Sequence, residues 1–298
     1  MTKRVIGVIP ARLESTRLSR KLLRPILGHP MLTWVYRRAW QARCLDDLLV
    51  ATDSEEILAH CRQNGIPATM TSVEHGSGTD RIFEVMTQRA ARLDNSSECR
   101  FSERGRDPGA APLDGGETRG EDAVYVNIQG DEPMIAPEHL DLLLQPFRPL
   151  RPFREDAGAR VSTLKVAISL AEARDPNNVK VVAAADGRAL YFSRALVPYD
   201  RDRGPGAAAE STYYKHLGLY AYTPEALRRF HELPPSPLER REKLEQLRFL
   251  ENGIPIIVLE TTADTIGVDT EEDLARVEKY FCRTGTMLPE SRGPVASG

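Results

Sequence analysis

The residues best able to do chemistry lie in three separated segments. In the first, Arg12, Arg17, Arg20, Lys21 and Arg24 fall within thirteen residues, opposed only by Glu14. Guanidinium forks meet phosphate oxygens two at a time, and a lysine adds a point charge. Ser15 and Thr16 add hydroxyl donors to the same stretch. There is no GxxxxGK[ST] pattern, so this is not a P-loop. A polyphosphate-binding loop and a solvated basic loop both fit. In the second segment, Val124-Tyr-Val-Asn-Ile runs into Gln129, Gly130, Asp131 and Glu132. An acid beside phosphate-binding cations calls for an intervening cation, and Mg²⁺ binds a few carboxylates together with phosphate oxygens. Asp131 is therefore a candidate magnesium ligand; a turn aspartate accepting backbone N–H groups is the alternative. The third segment, Thr265-Ile-Gly-Val-Asp269-Thr-Glu-Glu-Asp, places Asp269 just ahead of a predicted helix. Asp269 fits either a ligand or an acid near a helix cap.

Other residues carry weaker signals. His75-Gly-Ser-Gly-Thr-Asp-Arg reads as a loop before a helix, where Ser77, Thr79 and Arg81 could contact a nucleotide or Thr79 could cap. Arg194, His216 and Tyr220 fall near predicted strand ends, and Glu245 and Gln246 fall on a predicted helix. Structural roles compete with functional ones at each of these positions.

Positioning these groups requires a scaffold. Short apolar, β-branched runs predict buried strands at 5–9, 48–52, 124–128, 161–168, 179–183, 189–192, 217–222 and 255–260. Helical patterns fall between them at 30–41, 55–64, 80–92, 137–147, 224–233, 238–252 and 270–280. Alternation of this kind predicts an α/β fold with a largely parallel sheet covered on both faces. Ligands then bind at the carboxyl ends of the strands, where the basic loop falls. Strands dominate from 161 to 222, which predicts a smaller β-rich subregion, a second small sheet or an oligomer contact. Residues 94–122 are rich in Gly, Pro, Ser and charge without apolar period, and read as a flexible insertion. Residues 149–160 read as a shorter loop of the same kind, and 283–298 as a disordered tail. One domain over 1–282 is expected, with 161–235 as its β-rich subregion.

Composition narrows the partners. The 298 residues are 41% hydrophobic and 28% charged, with a net charge of −3. Such a chain lacks the global field that holds nucleic acid or an anionic membrane. No run approaches the ~20 apolar residues of a membrane span. Four scattered cysteines without CxxC spacing fit free thiols in a reducing, cytoplasmic setting.

Taken in order, IPARLESTRL, ATDSEEI, SGTDR, VNIQGDEP, NNVKVV, YFSRA, KHLGLYAY, LEQLRFLENG and IGVDTEEDL closely resemble the 3-deoxy-manno-octulosonate cytidylyltransferases, also called CMP-Kdo synthetases. The resemblance spans about residues 5–280. It implies a Rossmann-like nucleotidyltransferase fold, three-layered with a mostly parallel mixed sheet. It also implies a homodimer and a reaction of CTP with Kdo that gives CMP-Kdo and pyrophosphate for lipopolysaccharide biosynthesis, with Mg²⁺. Carried over by motif, Arg12, Ser15, Arg17 and Lys21 would hold the triphosphate and nucleotide. Ser77, Arg81 and Gln129 would help place cytosine and ribose, and Asp131 and Asp269 would ligate Mg²⁺. Arg194, His216, Tyr220, Glu245 and Gln246 would bind the sugar acid, Arg194 being a candidate for its carboxylate. The resemblance departs where the family usually reads RLPGK: here Ser19 and Arg20 replace proline and glycine, and Arg20 is a further candidate phosphate contact. The competing readings are a cytidylyltransferase for sialic acid or an 8-amino analogue of Kdo, and a catalytically silent nucleotide-binding protein.

Overall fold

A computed structural model describes residues 3–13, 18–101, 123–147, 160–201 and 212–290, with 92–101 described by backbone alone. The strands are β1 (Arg4–Ala11), β2 (Pro25–Ile26), β3 (His29–Pro30), β4 (Asp47–Thr52), β5 (Ala68–Met70), β6 (Ala123–Asn127), β7 (Val161–Ile168), β8 (Lys180–Ala183), β9 (Ala189–Ser193), β10 (Tyr213–Tyr222) and β11 (Ile256–Thr261). The helices are α1 (Met31–Ala39), α2 (Glu55–Gln63), α3 (Gly78–Phe101), α4 (Pro137–Leu143), α5 (Leu170–Ala173), α6 (Pro224–Glu232), α7 (Pro237–Glu242), α8 (Gln246–Glu251) and α9 (Glu271–Thr284).

Nine strands form one twisted sheet in the order β11-β7-β10-β6-β1-β4-β5, with β8 paired to β10 and β9 to β8. β1 is parallel to both β4 and β6, whereas β10 runs antiparallel to β6 and β7. The sheet is therefore mixed rather than largely parallel: β4–β5 and β7–β11 also pair parallel, while β8 pairs antiparallel with both β10 and β9. The strand-rich stretch is part of this sheet, and the expectation of a separate small sheet is corrected: Lys180 pairs with Lys215 and joins the β8–β9 hairpin to β10.

Alternation along the strands explains the two covered faces. Leu48 and Val50 of β4 join one core while Leu49 and Ala51 join the other; Val124 and Val126 of β6 do the same against Ala123 and Tyr125. The first core gathers α1 and α9, where Trp34 meets Phe281 with ring centroids 4.6 Å apart. The second gathers α3, α6 and α8 through Ile82, Leu227, Phe230 and Phe249. A strand buried on both sides has no solvated face, so its sequence reads as a continuous apolar run.

Several boundaries differ from expectation for identifiable reasons. The predicted helix at 238–252 is two short helices, because Lys243 takes a left-handed conformation (φ 55°, ψ 47°) after α7. The predicted helix at 137–147 ends at Leu143 and gives way to a 3₁₀ turn, Gln145–Phe147, with Pro146 inside it. β10 begins at Tyr213 rather than 217, since its first half carries Lys215 and His216 and lacks a strand's apolar signature. Residues 94–101 continue α3 rather than opening the insertion; 102–122 lie outside the described residues. The tail assignment also shortens: α9 runs to Thr284, and the carbonyls of Pro289 and Glu290 accept from Arg37 and Gln41. The loop expected at 149–160 lies outside the described residues except for Arg160.

Candidate active site

The carboxyl ends of β1, β4 and β6 lie side by side, since Ala11 pairs with Thr52 and Val8 with Asn127. The chemistry-bearing loops leave from these ends. After β6 the chain turns through Gly130, where an added Cβ would sit 3.2 Å from the Pro10 carbonyl oxygen and 3.3 Å from Leu22. Only glycine lets this turn approach β1 so closely. The turn presents Asp131. Across from it, the loop after β11 delivers Asp269, tethered by the Val268 amide, which donates to the Asp131 carbonyl at 2.9 Å. Thr270 caps α9 in a reciprocal box with Asp273, and the Asp269 amide also donates to Asp273. Lys215 of β10 steadies the same loop by donating to Asp264 at 2.8 Å and to the Thr265 carbonyl at 2.9 Å.

Two acids 138 residues apart in sequence thus meet on one cation. Lys21 Nζ lies 2.5 Å from Asp131 Oδ2 and 3.0 Å from Asp269 Oδ1. Burial works against the Lys21 ammonium, but the two carboxylates outweigh it and hold its pKa above the ordinary lysine value. Arg24 reaches the same side of the molecule, and its Nη2 donates to both carboxylate oxygens of Glu271, at 2.6 and 2.8 Å. Arg20 adopts the left-handed conformation (φ 53°, ψ 34°) that glycine takes without steric cost, and its guanidinium pairs with Glu56 in the first turn of α2. Arg12 donates to the His75 carbonyl at 2.5 Å. Ser15 and Arg17 lie outside the described residues.

Beside this triad opens a cleft of about 480 Å³, lined by Ser77, Gln129, His216, Tyr220, Glu245 and Gln246 among others. Six of the residues nominated from sequence are therefore brought together. Ser77 caps α3 through Asp80 while facing the cleft. Gln129 donates to the Gly218 carbonyl at 3.1 Å, and a Cβ on Gly218 would meet the Gln129 side chain at 3.1 Å, so a larger residue there would press on Gln129. β10 is irregular between Leu217 and Tyr220, and Thr163 answers the distortion by donating to the Leu219 carbonyl at 2.8 Å and meeting His216 Nε2 at 3.0 Å. Irregular strands of this kind re-aim side chains next to sites. Glu245 Oε2 and Gln246 Nε2 are buried without a hydrogen-bond partner among the described residues. Buried polar atoms without partners are costly. Two of them on one cleft wall suit a ligand rich in hydroxyls. Burial raises the Glu245 pKa.

His216 is half-buried against Phe192 and Tyr220, and this desolvation, aided by Lys215, lowers its pKa to about 3. It is therefore a neutral hydrogen-bonding group. An unfolded histidine takes its proton near pH 6.5, so between pH 6.5 and 3 the unfolded state binds more protons than the folded one. Stability contributed here is lost as pH falls through that window, by up to about 1.4 kcal/mol per pH unit. His216→Gln should flatten this acid limb in urea midpoints measured from pH 7 to 4; an unchanged slope contradicts the assignment.

Two nominated residues sit elsewhere. Arg81 is fully buried, with Nη2 2.7 Å from Asp53 Oδ2 and Nη1 2.5 Å from Thr71 Oγ1. It ties the end of β4 to the chain after β5 and does not line the cleft. Arg81→Leu should lower unfolding free energy by about 3–5 kcal/mol in denaturant titration, because it strands Asp53 without its partner. A change under 1 kcal/mol contradicts that reading. Arg194 is likewise absent from the cleft lining: its Nε donates to the Glu242 carbonyl at 2.9 Å and its Nη1 to the Pro176 carbonyl at 3.1 Å.

Three charged groups here escaped the sequence reading. Glu132 is buried, and burial together with Asp131 pushes its pKa up to about 7. Its signal was present as the second acid after Gly130. Lys180 is wholly buried, with Nζ donating to the carbonyls of Asp175, Asn178 and Arg194 at 2.6–3.0 Å. Lys215, described above, is the third. A lysine inside an apolar strand run was the available signal for Lys180.

The sheet order and the polar cleft at its carboxyl edge are those of an α/β nucleotidyltransferase. The chain matches the sequence family described as Cytidylyltransferase over residues 6–100 and 116–260. It is 51% identical over 277 residues to a 3-deoxy-manno-octulosonate cytidylyltransferase of Acidobacterium capsulatum, covering 93% of this chain and 96% of the relative. It is 48% identical over 280 residues to one of Koribacter versatilis, covering 94% and 91%. A solved CMP:2-keto-3-deoxy-manno-octonic acid synthetase complexed with CTP matches with a TM-score of 0.75 and 37% identity, covering 95% of this chain and 100% of that one. The chain belongs to the 3-deoxy-manno-octulosonate cytidylyltransferase family.

Proposed function

We infer that this chain transfers CMP from CTP to the anomeric hydroxyl of Kdo, releasing pyrophosphate and supplying CMP-Kdo for lipopolysaccharide biosynthesis. The observation that carries the reading is the meeting of Lys21, Asp131 and Asp269 beside a polar cleft, in a chain related to these enzymes along nearly its whole length. The anomeric oxygen attacks the α-phosphorus in line, the bond from that phosphorus to the bridging oxygen breaks, and the hydroxyl proton passes to solvent. The chain's contribution is positioning and charge. Lys21, with Arg12, Ser15 and Arg17, holds the triphosphate and stabilises the departing pyrophosphate. Ser77 and Gln129 face the nucleoside, and His216, Tyr220, Glu245 and Gln246 face the sugar.

Magnesium fits the donor set. Asp131 and Asp269 offer hard oxygens on either side of one point, already shared with a cation. Among the described residues, no cluster of three or more His, Cys, Asp or Glu encloses a metal site. Two carboxylates alone suit Mg²⁺, which binds through one or two carboxylates plus substrate phosphates. Bound by them, it would neutralise phosphate charge and polarise a phosphoryl oxygen. The same reading makes the protein a cytoplasmic homodimer. Among the described residues no helix is long and apolar enough to cross a membrane.

The test is pyrophosphate release from CTP with Kdo, sialic acid or 8-amino-Kdo, with and without Mg²⁺. Magnesium-dependent release with Kdo at the highest kcat/KM is expected. Preference for another acid, or CTP binding without release, overturns the reading.

A further inference from the structure

We propose that Arg240 and Lys243 form a cationic rim that recognises the carboxylate of the acceptor sugar acid; this rests on the acceptor being such an acid. Both residues line the same cleft as Glu245 and Gln246. Both are exposed, and neither side chain has an ion-pair or hydrogen-bond partner among the described residues.

The other cations nearby are already committed. Arg248 grips Glu239 through two bonds of 2.6 and 2.8 Å and also meets the carbonyls of Phe230 and Leu233. Lys215 is held by Asp264 and Thr265, and Lys21 by Asp131 and Asp269. Arg194 donates to Pro176 and Glu242 carbonyls, and His216 is neutral. Among the described residues lining the cleft, the uncommitted positive charge is therefore at 240 and 243. Glu239, which also lines the cleft, is neutralised by Arg248, so this part of the rim is net positive. The opposite requirement holds at Glu245 and Gln246, whose unpartnered buried atoms suit hydroxyls. An acid with a hydroxylated chain meets both walls in only one orientation. Complementary charge of this kind fixes register and partner choice.

The local backbone holds the rim in place. Lys243 is left-handed, a conformation that disfavours any side chain. α7 is docked onto the end of β9 by Glu242, whose carboxylate accepts from Ser193 Oγ at 2.7 Å and from the Arg194 amide at 3.0 Å. Arg194 Nε closes the contact on the Glu242 carbonyl. Here Arg194 is a positioning residue, carrying the helix that carries the rim.

The experiment compares Arg240→Gln/Lys243→Gln with the unsubstituted chain in steady-state assays that vary Kdo and CTP separately. Exposed charge contacts are individually weak, so the expected rise in KM for Kdo is about five- to tenfold, shrinking as KCl is raised, with KM for CTP moving less than about twofold. Lys243→Gly, which relieves the left-handed strain, should melt no lower than the unsubstituted protein and still show a raised KM for Kdo. Arg241→Gln, on the same helix outside the cleft, serves as the control and should show neither change. An unchanged KM for Kdo overturns the proposal, as does a parallel rise in both KM values, which would assign the rim to the triphosphate. Failure of the unsubstituted chain to release pyrophosphate from CTP and Kdo is a different result; it refutes the underlying reading, and the rim with it.

Discussion

Asp131→Asn is expected to lower kcat for pyrophosphate release by about three orders of magnitude, with the fold intact. Asparagine keeps the shape of the side chain and loses its charge. One of the two hard oxygens facing Lys21 becomes a weaker acceptor, and the site loses a magnesium ligand where phosphate charge builds up. The stability cost stays near 1 kcal/mol, because the Asp131 side chain is 30% exposed and Lys21 keeps Asp269. A variant with the normal melting temperature and near-normal turnover removes Asp131 from the reacting centre.

Lys21→Met is expected to lower kcat/KM by about a hundred- to a thousandfold, for a complementary reason. The ammonium supports the charge on the leaving pyrophosphate, and methionine fills its volume without it. The substitution also leaves Asp131 and Asp269 facing each other without their shared cation. The stability gap between the two proteins therefore depends on pH. It is fully present below pH 10.5, the ordinary lysine value, and is lost as pH rises through the raised folded pKa of Lys21. Urea midpoints for both proteins between about pH 8 and 12 check this. A gap that does not narrow above pH 10.5 contradicts the shared-cation geometry.

The scaffold was largely legible because strands buried on both faces leave continuous apolar runs, as at 5–9, 48–52 and 124–128. What escaped were polar strand segments and local backbone breaks. The start of β10 carries Lys215 and His216, whose partners come from Asp264, Thr265 and Thr163, and no local pattern announces them. The break at Lys243 defeats a helical period that runs on through 238–252, yet it is what turns Glu245 and Gln246 toward the cleft. Site residues were legible as motif members, not as geometry. Arg81 belongs to a motif and still folds inward, because Asp53 and Thr71 offer it a buried pair. Asp131 and Asp269 were each nominated from local context, but their meeting depends on the Val268–Asp131 main-chain bond and on Lys21. Those are contacts between strand-end loops that no spacing encodes.

The convergence of the two acids is tested most directly by a double-mutant cycle on kcat with Asp131→Asn, Asp269→Asn and the pair combined. If both carboxylates serve one reacting centre, the double variant falls within a few-fold of the worse single variant, because the second substitution removes a function already lost. If the two losses multiply, the acids act independently and the shared centre described here is wrong.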